Sequence, residues 1–419
     1  MTTVSQVRSA ASFAGGLYKE RWDRWYAARF RGDQLARLST REGRRDPYAV
    51  YEAMRAIGPM VPTRLGNWAT TSYAICNQVL RSRQFGVREE TGVSPVRSPQ
   101  EEFDLSFLSL NEPDHARLRR VAAPAFSPKM MAGYATTIDQ TVGDLLDAAE
   151  AKGTFDLVAD LAAPLPIAVI TRMMGVDGGD AAAFQRYGAA LGSALDGVTS
   201  IGQARRVIEA NRELDVLFAR LFEERAREPR DDLVSVIVAE RGDTIRPEEL
   251  RPMCSLLLIA GFETTVNLIG NATRALLAHP EQWEMLKADP SLAAGAVEET
   301  LRWDPPVQET ARLSFRQTEI GGVPVHVNQA LVLLLAGANR DPEVFVDPTR
   351  FDITRTSSSE HLAFSSGIHY CLGAPLARLE AKVAVTALTQ RMPRLHQAGR
   401  VVMRPSRLIR GPLHMPVAA

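Results

Sequence analysis

The chain has 419 residues and balances 49 Lys and Arg against 49 Asp and Glu, so a general affinity for nucleic acid is not indicated. Three cysteines without framework spacing favour a reducing cytoplasm over secretion. No run reaches the roughly 18 apolar residues expected of a membrane span. We therefore expect a cytoplasmic protein that can bury a large core and that does not cross a membrane.

The first 45 residues are more basic than the whole, because ten Lys or Arg against four Asp or Glu give them a local charge of +6. Aromatic residues are interleaved with these charges: Trp22, Trp25, Tyr26 and Phe30. A helix on a membrane surface has this composition, but a solvated helix docked on the body is the favoured interpretation. We expect a basic extension, 1–45, ahead of a single domain, 46–419.

The next segments predict a helix, a hairpin and a long loop. Asp46 is placed to cap a helix through Arg55. Residues 60–71 are typical of a hairpin that turns at a Gly-Asn pair. Residues 82–110 contain Gly92, Pro95 and Pro99 and predict an irregular loop; a loop of this length usually borders a binding site.

Residues 115–289 predict an almost entirely helical region, since apolar residues recur at helical spacing. Strand patterns return at 311–315, 318–325 and 330–335. The sequence therefore predicts a mainly α fold, with a helix-rich lobe and a smaller β-rich portion.

A helix predicted over 247–277 carries an acid and an alcohol in an apolar run. Glu263 is expensive to desolvate there, so it must lie at a wet groove or be paired. Thr264 can donate a hydrogen bond back to the carbonyl of Ala260, and Gly261 leaves room for the helix to bulge. Such a group could conduct protons; a buried helix with a capped polar notch is the alternative.

The stretch from Phe364 to Pro375 places Cys371 just ahead of a predicted helix N-terminus. Backbone N–H groups there lack intrahelical partners and stabilise a thiolate. A thiolate so placed could bind haem iron. The alternative is that Cys371 is an ordinary small buried residue. Zinc fits poorly, because Cys76 and Cys254 are remote in sequence.

This stretch resembles the cysteine-ligand loop of the cytochrome P450 family, Phe-x-x-Gly-x-His/Arg-x-Cys-x-Gly. All five fixed positions are present: Phe364, Gly367, His369, Cys371 and Gly373. Ser365 stands where most members carry glycine. The resemblance spans roughly 46–412, and the predicted lack of an N-terminal anchor makes the chain similar to the soluble bacterial type.

The resemblance implies a cytochrome P450 fold that binds one haem b per chain, with Cys371 as the axial ligand. The block from Ala260 to Thr265 resembles the family's acid–alcohol motif, which implies that Thr264 steers protonation and that Glu263 relays protons from solvent. The implied cofactor-binding residues are His115, Arg119, Ala260, Arg312, Phe364, Gly367, His369, Cys371 and Gly373. Of these, His115, Arg119, Arg312 and His369 match propionate-binding positions.

Glu299 and Arg302, together with Arg350 further on, resemble the family's Glu-Arg-Arg fold lock, which implies a structural role. Arg117 and Arg120 would point away from the haem and could meet an acidic redox partner.

The implied function is a haem-thiolate monooxygenase that inserts one oxygen atom of O2 into an apolar or amphipathic small molecule. Electrons would come from a ferredoxin and its NAD(P)H-dependent reductase. Oxidative coupling, peroxide-driven oxidation and a haem sensor or carrier are the alternatives. We expect the substrate walls in 82–110, 165–205, Leu257, Ala260, Gly261, Val307 and Leu408-Ile409.

Overall fold

The computed structural model describes residues 22–23, 25–64, 66–90, 105–176, 178–193, 200–357 and 359–419. Residues 25–30 are helical. The α-helices that follow, α1 to α15 in chain order, are Gln34–Arg37, Arg41–Arg45, Pro47–Ile57, Tyr73–Arg81, Asp114–Ala122, Pro128–Lys152, Pro164–Met174, Gly178–Gly192, Ile201–Arg227, Leu233–Ala239, Pro247–Ala278, Pro280–Ala288, Ala293–Trp303, Leu335–Ala338 and Ala374–Arg391.

Short strands make up the β portion of the described chain. In chain order, β1 to β12 are Val61–Pro62, Trp68–Thr70, Phe85–Gly86, Thr154–Asp156, Thr310–Ser314, Thr318–Ile320, Val323–Val325, Ala330–Leu333, His396–Gln397, Val402–Met403, Pro412–His414 and Pro416–Ala418. The predicted class, mainly α with a smaller β-rich portion, is confirmed.

The main sheet has the order β1-β2-β8-β5-β3, with β2 parallel to β8 and the other pairs antiparallel. The predicted hairpin is confirmed, because Val61 pairs with Ala69 and Thr63 N–H donates to Asn67 O at 2.9 Å. The predicted strand 318–325 is two strands, since Gly321 and Gly322 take positive φ angles and turn the chain between them.

Local chemistry explains where several helices begin and end. Asp46 accepts a hydrogen bond from Ala49 N–H at 3.2 Å, and Pro47 occupies the first turn of α3, as the sequence predicted. Gly175 closes α7 with a φ of +68°, a left-handed conformation that glycine adopts without strain. Gly192 is the last residue of α8.

Helix α11, Pro247–Ala278, runs through the centre of the helical lobe and packs against α7, α8, α13 and α15. It is long and apolar enough to cross a membrane by length and composition alone, yet 83% of its apolar window is buried inside the protein. The helix is therefore explained as a core element of the lobe.

Residues 34–45 fold against the body. Leu35 and Leu38 share a core cluster with Val50 and Tyr51, and Asp33 caps α1 while it accepts a bond from Arg64 N–H at 2.8 Å. The division at residue 45 stays a prediction, with its last helices packed on the domain.

Candidate active site

The loop that holds Cys371 is fixed by its own backbone. Cys371 N–H donates to Phe364 O at 2.9 Å, and Tyr370 N–H donates to Gly367 O at 3.1 Å. Gly367 has a φ of +69°, and a Cβ there would lie 2.4 Å from the carbonyl oxygen of Leu80. Only glycine combines this conformation with this close approach, so Gly367 seats the loop against the end of α4.

Two further positions of the loop, Gly373 and Ser365, differ in backbone conformation. Gly373 has an ordinary φ of −82°, and a Cβ there would only touch the ring of Phe126 at 3.8 Å. No described neighbour therefore lies closer than ordinary van der Waals contact to a Cβ at Gly373. Ser365 has a φ of +64°, which explains why a glycine is suited to this position.

Cys371 lies next to the N-terminus of α15, which begins at Ala374. Burial raises the pKa of the Cys371 thiol, while the N–H groups of Gly373 and Ala374 and the guanidinium of Arg119 act in the opposite direction. The N–H groups reach the sulfur as predicted, but their effect on the pKa of the thiol is smaller than the effect of burial. A metal ion bound to the sulfur would hold it as a thiolate, because a coordinating thiol is deprotonated outright.

Four basic side chains converge beside this loop. The rings of His115 and His369 lie 4.2 Å apart between centroids, and Arg119 donates to Tyr370 O at 2.6 Å. Burial, together with Arg312, His115 and Arg119, lowers the pKa of His369 to about 3. The structure brings together the four residues that match propionate-binding positions, and their role in binding propionates stays a prediction.

Arg312 gives the strongest evidence that this cluster binds a ligand. Its side chain is buried, donates only to Ala311 O and Thr310 Oγ1, and forms no ion pair within the described chain. Burial lowers its pKa to about 10. The Nε2 atom of His115 is also buried and has no hydrogen-bond partner among the described residues. A buried cation and an unpaired ring nitrogen favour an anionic ligand here.

The middle of α11 has one open face. Ala260 is exposed and Gly261 and Thr264 are half-buried, although the residues before and after them are buried. Thr264 Oγ1 donates to Ala260 O at 2.8 Å, which confirms the predicted back-bond. The open face of α11 therefore carries the Thr264 hydroxyl, and beside it the backbone is covered only by the small residues Ala260 and Gly261.

Glu263 is paired, one of the two environments predicted for it. Its carboxylate is 2% exposed and lies 2.6 Å from Arg404 Nη2, just beyond β10. A Cβ at Gly192 would lie 2.2 Å from Glu263 Cγ, so α8 packs directly on this side chain. Sequence reasoning missed Arg404, because nothing local relates two residues so far apart in the chain.

A second buried acid near this helix was also missed. Glu380 on α15 is 2% exposed and bonds to Thr265, next to Thr264, and burial raises its pKa to about 8. Nothing local in the sequence singled out Glu380, because α15 also carries Arg378, Lys382 and Arg391.

The predicted fold lock is present with one correction. Arg302 donates to both oxygens of Glu299 at 2.7 Å. The second arginine is Arg355, whose Nε lies 3.1 Å from both Glu299 oxygens. The prediction of Arg350 was wrong: its side chain is 65% exposed, and only its carbonyl joins the network, as an acceptor.

Two further expectations concerned the surface and the substrate walls. Arg117 bonds Asp114, Glu249 and Thr244 O, so it is held within the protein rather than offered to a partner. Val307 and Ile409 pair with each other as an isolated bridge, which brings two of the expected wall segments together; that they line the substrate site stays a prediction. Residues 91–104 and 194–199 of the expected walls lie outside the described residues.

Comparison with known proteins identifies the family. The Cytochrome P450 family model matches residues 200–397. The biotin biosynthesis cytochrome P450 of Bacillus subtilis (strain 168) is 37% identical over 368 residues, which cover 84% of this chain and 91% of that protein. The chain belongs to the cytochrome P450 family. The cytochrome P450 monooxygenase PikC of Streptomyces venezuelae is 37% identical over 385 residues, 89% of this chain and 91% of the relative.

A solved cytochrome P450 structure agrees. P450BioI in complex with hexadec-9Z-enoic acid ligated acyl carrier protein matches with a TM-score of 0.84 and 36% identity, over 90% of this chain and 99% of that one. The chain therefore has the cytochrome P450 fold and is an oxygenase enzyme.

Membership of the cytochrome P450 family implies a haem cofactor, and the residues present fit one. Cys371 offers a single sulfur ligand, and no three His, Cys, Asp or Glu side chains of the described chain converge on another metal site. Haem carries two carboxylates, which suit the basic cluster around Arg312. The bare face at Ala260 suits the approach of a large flat ring.

Proposed function

We propose that this cytochrome P450 is a haem-thiolate monooxygenase that inserts one oxygen atom of O2 into an apolar or amphipathic small molecule. The observation that carries the proposal is the centre of α11, where a back-bonded Thr264 stands beside a buried, ion-paired Glu263. A protein that only held haem would have no need of an acid and an alcohol at this place.

In this proposal Cys371 would hold the iron of one haem b per chain, and the bound haem would supply the activation of O2 by two electrons. The side chains of His115, Arg119, Arg312 and His369 hold the two propionates. The positive charge of Arg119 and Arg312 would offset the desolvation of the carboxylates, and the carboxylates in turn would supply the counter-charge that Arg312 otherwise lacks; the ring N–H groups of His115 and His369 would donate as neutral imidazoles.

Protons would move along the other side of the site. Thr264 keeps its hydroxyl oriented through Ala260 O and can pass a proton toward bound substrate and O2. Glu263 takes protons from solvent when its carboxylate leaves Arg404, whose own side chain is 16% exposed and so reaches the surface. The two residues therefore have separate roles, because Glu263 exchanges protons with water and Thr264 positions them.

The described walls favour an apolar ligand. Leu257 and Ile409 are buried and Val307 is partly buried, and Ile170 on α7 lies 3.9 Å from where a Cβ at Gly261 would be. Such surfaces bind a ligand mainly by excluding water from it. We further propose a cytoplasmic enzyme that takes electrons from a ferredoxin and its NAD(P)H-dependent reductase.

The first test is the absorption spectrum of the dithionite-reduced protein under carbon monoxide, with Cys371→Ala alongside. A strongly red-shifted Soret band that the variant loses supports the thiolate ligand. A histidine-type spectrum, or no haem in the wild type, would refute it.

The second test addresses the reaction, with wild type and Thr264→Ala in a surrogate ferredoxin system. We expect the variant to keep haem and to divert reducing equivalents from product to peroxide. Unchanged coupling of reductant to product would remove this role of Thr264. Ligand binding without oxidation would favour a carrier, and turnover with peroxide alone would favour a peroxide-driven enzyme.

A further inference from the structure

An aromatic face lies at the start of the described chain, formed by Trp22, Trp25, Tyr26 and Phe30. Their spacing of three, four and eight residues places them on one side of a helix. Trp22 stacks on Tyr26 with 5.4 Å between ring centroids, and Phe30 lies 5.3 Å from Tyr26 and 5.6 Å from Trp25. The four rings therefore form one continuous apolar surface.

Most of this aromatic face is exposed to solvent. Trp22 is 60% exposed, Trp25 51% and Phe30 63%. Three large aromatic side chains of one short helix thus face solvent together. Contiguous exposed apolar surface of this kind marks an interaction site.

The positive charges near this face indicate which kind of partner it binds. Arg29 on the same helix and Arg31 just after it are exposed, and neither forms an ion pair within the described residues; Asp23 is the exposed acid of this helix. The guanidinium of Arg31 lies 5.3 Å from the ring centroid of Tyr26, so charge and aromatic surface are adjacent. The chain as a whole has no net charge, so this concentration of positive charge is local.

We propose that the aromatic face docks the protein on the surface of an anionic lipid bilayer. Trp and Tyr rings have an apolar body and a polar edge, which suits them to the headgroup region. Arginines beside them gain from the negative surface potential and bind lipid phosphates. An acidic protein would satisfy the arginines but would leave unexplained why three aromatic rings stand in water. The contact is peripheral and needs no membrane-spanning helix.

The experiment is co-sedimentation of the full-length protein with lipid vesicles made of phosphatidylcholine alone or of phosphatidylcholine mixed with phosphatidylglycerol. We expect binding to the mixed vesicles to exceed binding to the neutral ones by at least about tenfold. Raising the salt from about 0.1 M to about 0.5 M should weaken it severalfold, since the arginine contribution is screened. No binding to the anionic vesicles would overturn the proposal.

Two variants separate the aromatic and charge contributions. The triple variant Trp22→Ser, Trp25→Ser, Phe30→Ser should lose at least about tenfold in vesicle affinity, with thermal stability and haem spectrum unchanged because these rings are exposed. Arg29→Gln with Arg31→Gln should reduce the preference for phosphatidylglycerol. The matched control is Val346→Ser, which removes an 80% exposed apolar side chain elsewhere and should bind like wild type.

Two results would contradict the assignment. Equal vesicle binding by the triple variant would show that the aromatic face is not the contact. A dimer in solution that the triple variant abolishes would assign the face to a second copy of the chain. Neither measurement depends on turnover, so failure of the proposed monooxygenase activity would leave this test intact.

Discussion

Two buried Glu–Arg pairs, one at Glu299 and one at Glu263, are built differently. Glu299 accepts from Arg302 through both oxygens, from Arg355 and from Asp352 N–H at 2.9 Å. Glu263 meets Arg404 at 2.6 Å from one oxygen. Both carboxylates are 2–3% exposed, so burial alone does not distinguish the two pairs.

The two pairs differ in the other groups to which each arginine bonds besides its glutamate. Arg302 also donates to the carbonyls of Asn339, Pro348 and Arg350, so the first network ties α13 to the segment that leads into the Cys371 loop. Arg404 joins α11 to the end of β10, where its N–H donates to Gly411 O. The Arg302 network fixes several backbone carbonyls and so stabilises the fold, whereas the Arg404 side chain is 16% exposed and can move away from Glu263 to serve a reaction.

The largest expected effect comes from breaking the first network. Glu299→Gln leaves Arg302 and Arg355 without their counter-charge in a buried place, so we expect the free energy of unfolding to fall by about 3–5 kcal/mol. Haem retention should fall with it. Urea unfolding measures the change, and Glu319→Gln, an exposed acid on β6, is the control. A loss below about 1 kcal/mol would mean that the network is not a lock.

The second-largest loss of stability is expected at Gly367, which holds the Cys371 loop against the end of α4. Gly367→Ala forces a side chain into a left-handed conformation and against Leu80 O, and we expect a loss of about 2–4 kcal/mol. Gly373→Ala is the matched control, since its ordinary φ and open surroundings predict a loss of less than about 1 kcal/mol. Equal losses in thermal or urea unfolding would refute the distinction drawn between the two glycines.

A smaller effect on stability but a larger one on reaction is expected from the second pair. Arg404→Gln removes the charge that holds Glu263, so reductant should be diverted from product by about tenfold while haem stays bound. Arg404→Lys should recover part of the coupling, because it restores the charge. Arg400→Gln, an exposed arginine nearby, should behave like wild type in the same assay. Unaltered coupling in Arg404→Gln would make the pair purely structural.

The sequence predicted contacts between residues close together in the chain and missed contacts between residues far apart in it. The back-bond of Thr264, the cap at Asp46 and the Glu299–Arg302 pair span three or four residues, so helical spacing was sufficient to find them. Arg355 and Arg404 were missed because their partners are distant in sequence and several arginines were equally eligible. Only packing decided between Arg350 and Arg355, which lie one short loop apart.

The smallest effect concerns Ser365, the departure from the family's glycine in the loop. Its φ of +64° strains a residue with a side chain, and its buried hydroxyl has no hydrogen-bond partner within the described chain. Glycine removes both penalties but gains freedom in the unfolded chain, which offsets about 0.5–1 kcal/mol. We expect Ser365→Gly to be more stable by about 1 kcal/mol with an unchanged spectrum.

Its neighbour supplies the matched control. Ser366 has a φ of −151°, an extended conformation that serine adopts freely, so Ser366→Gly should destabilise by about 0.5–1 kcal/mol in the same unfolding experiment. Opposite signs at adjacent serines would show that backbone conformation decides the outcome, since the chemical change is identical. If Ser365→Gly instead lowers stability in the haem-loaded protein, its hydroxyl has a partner there, and the serine is a functional feature of this loop.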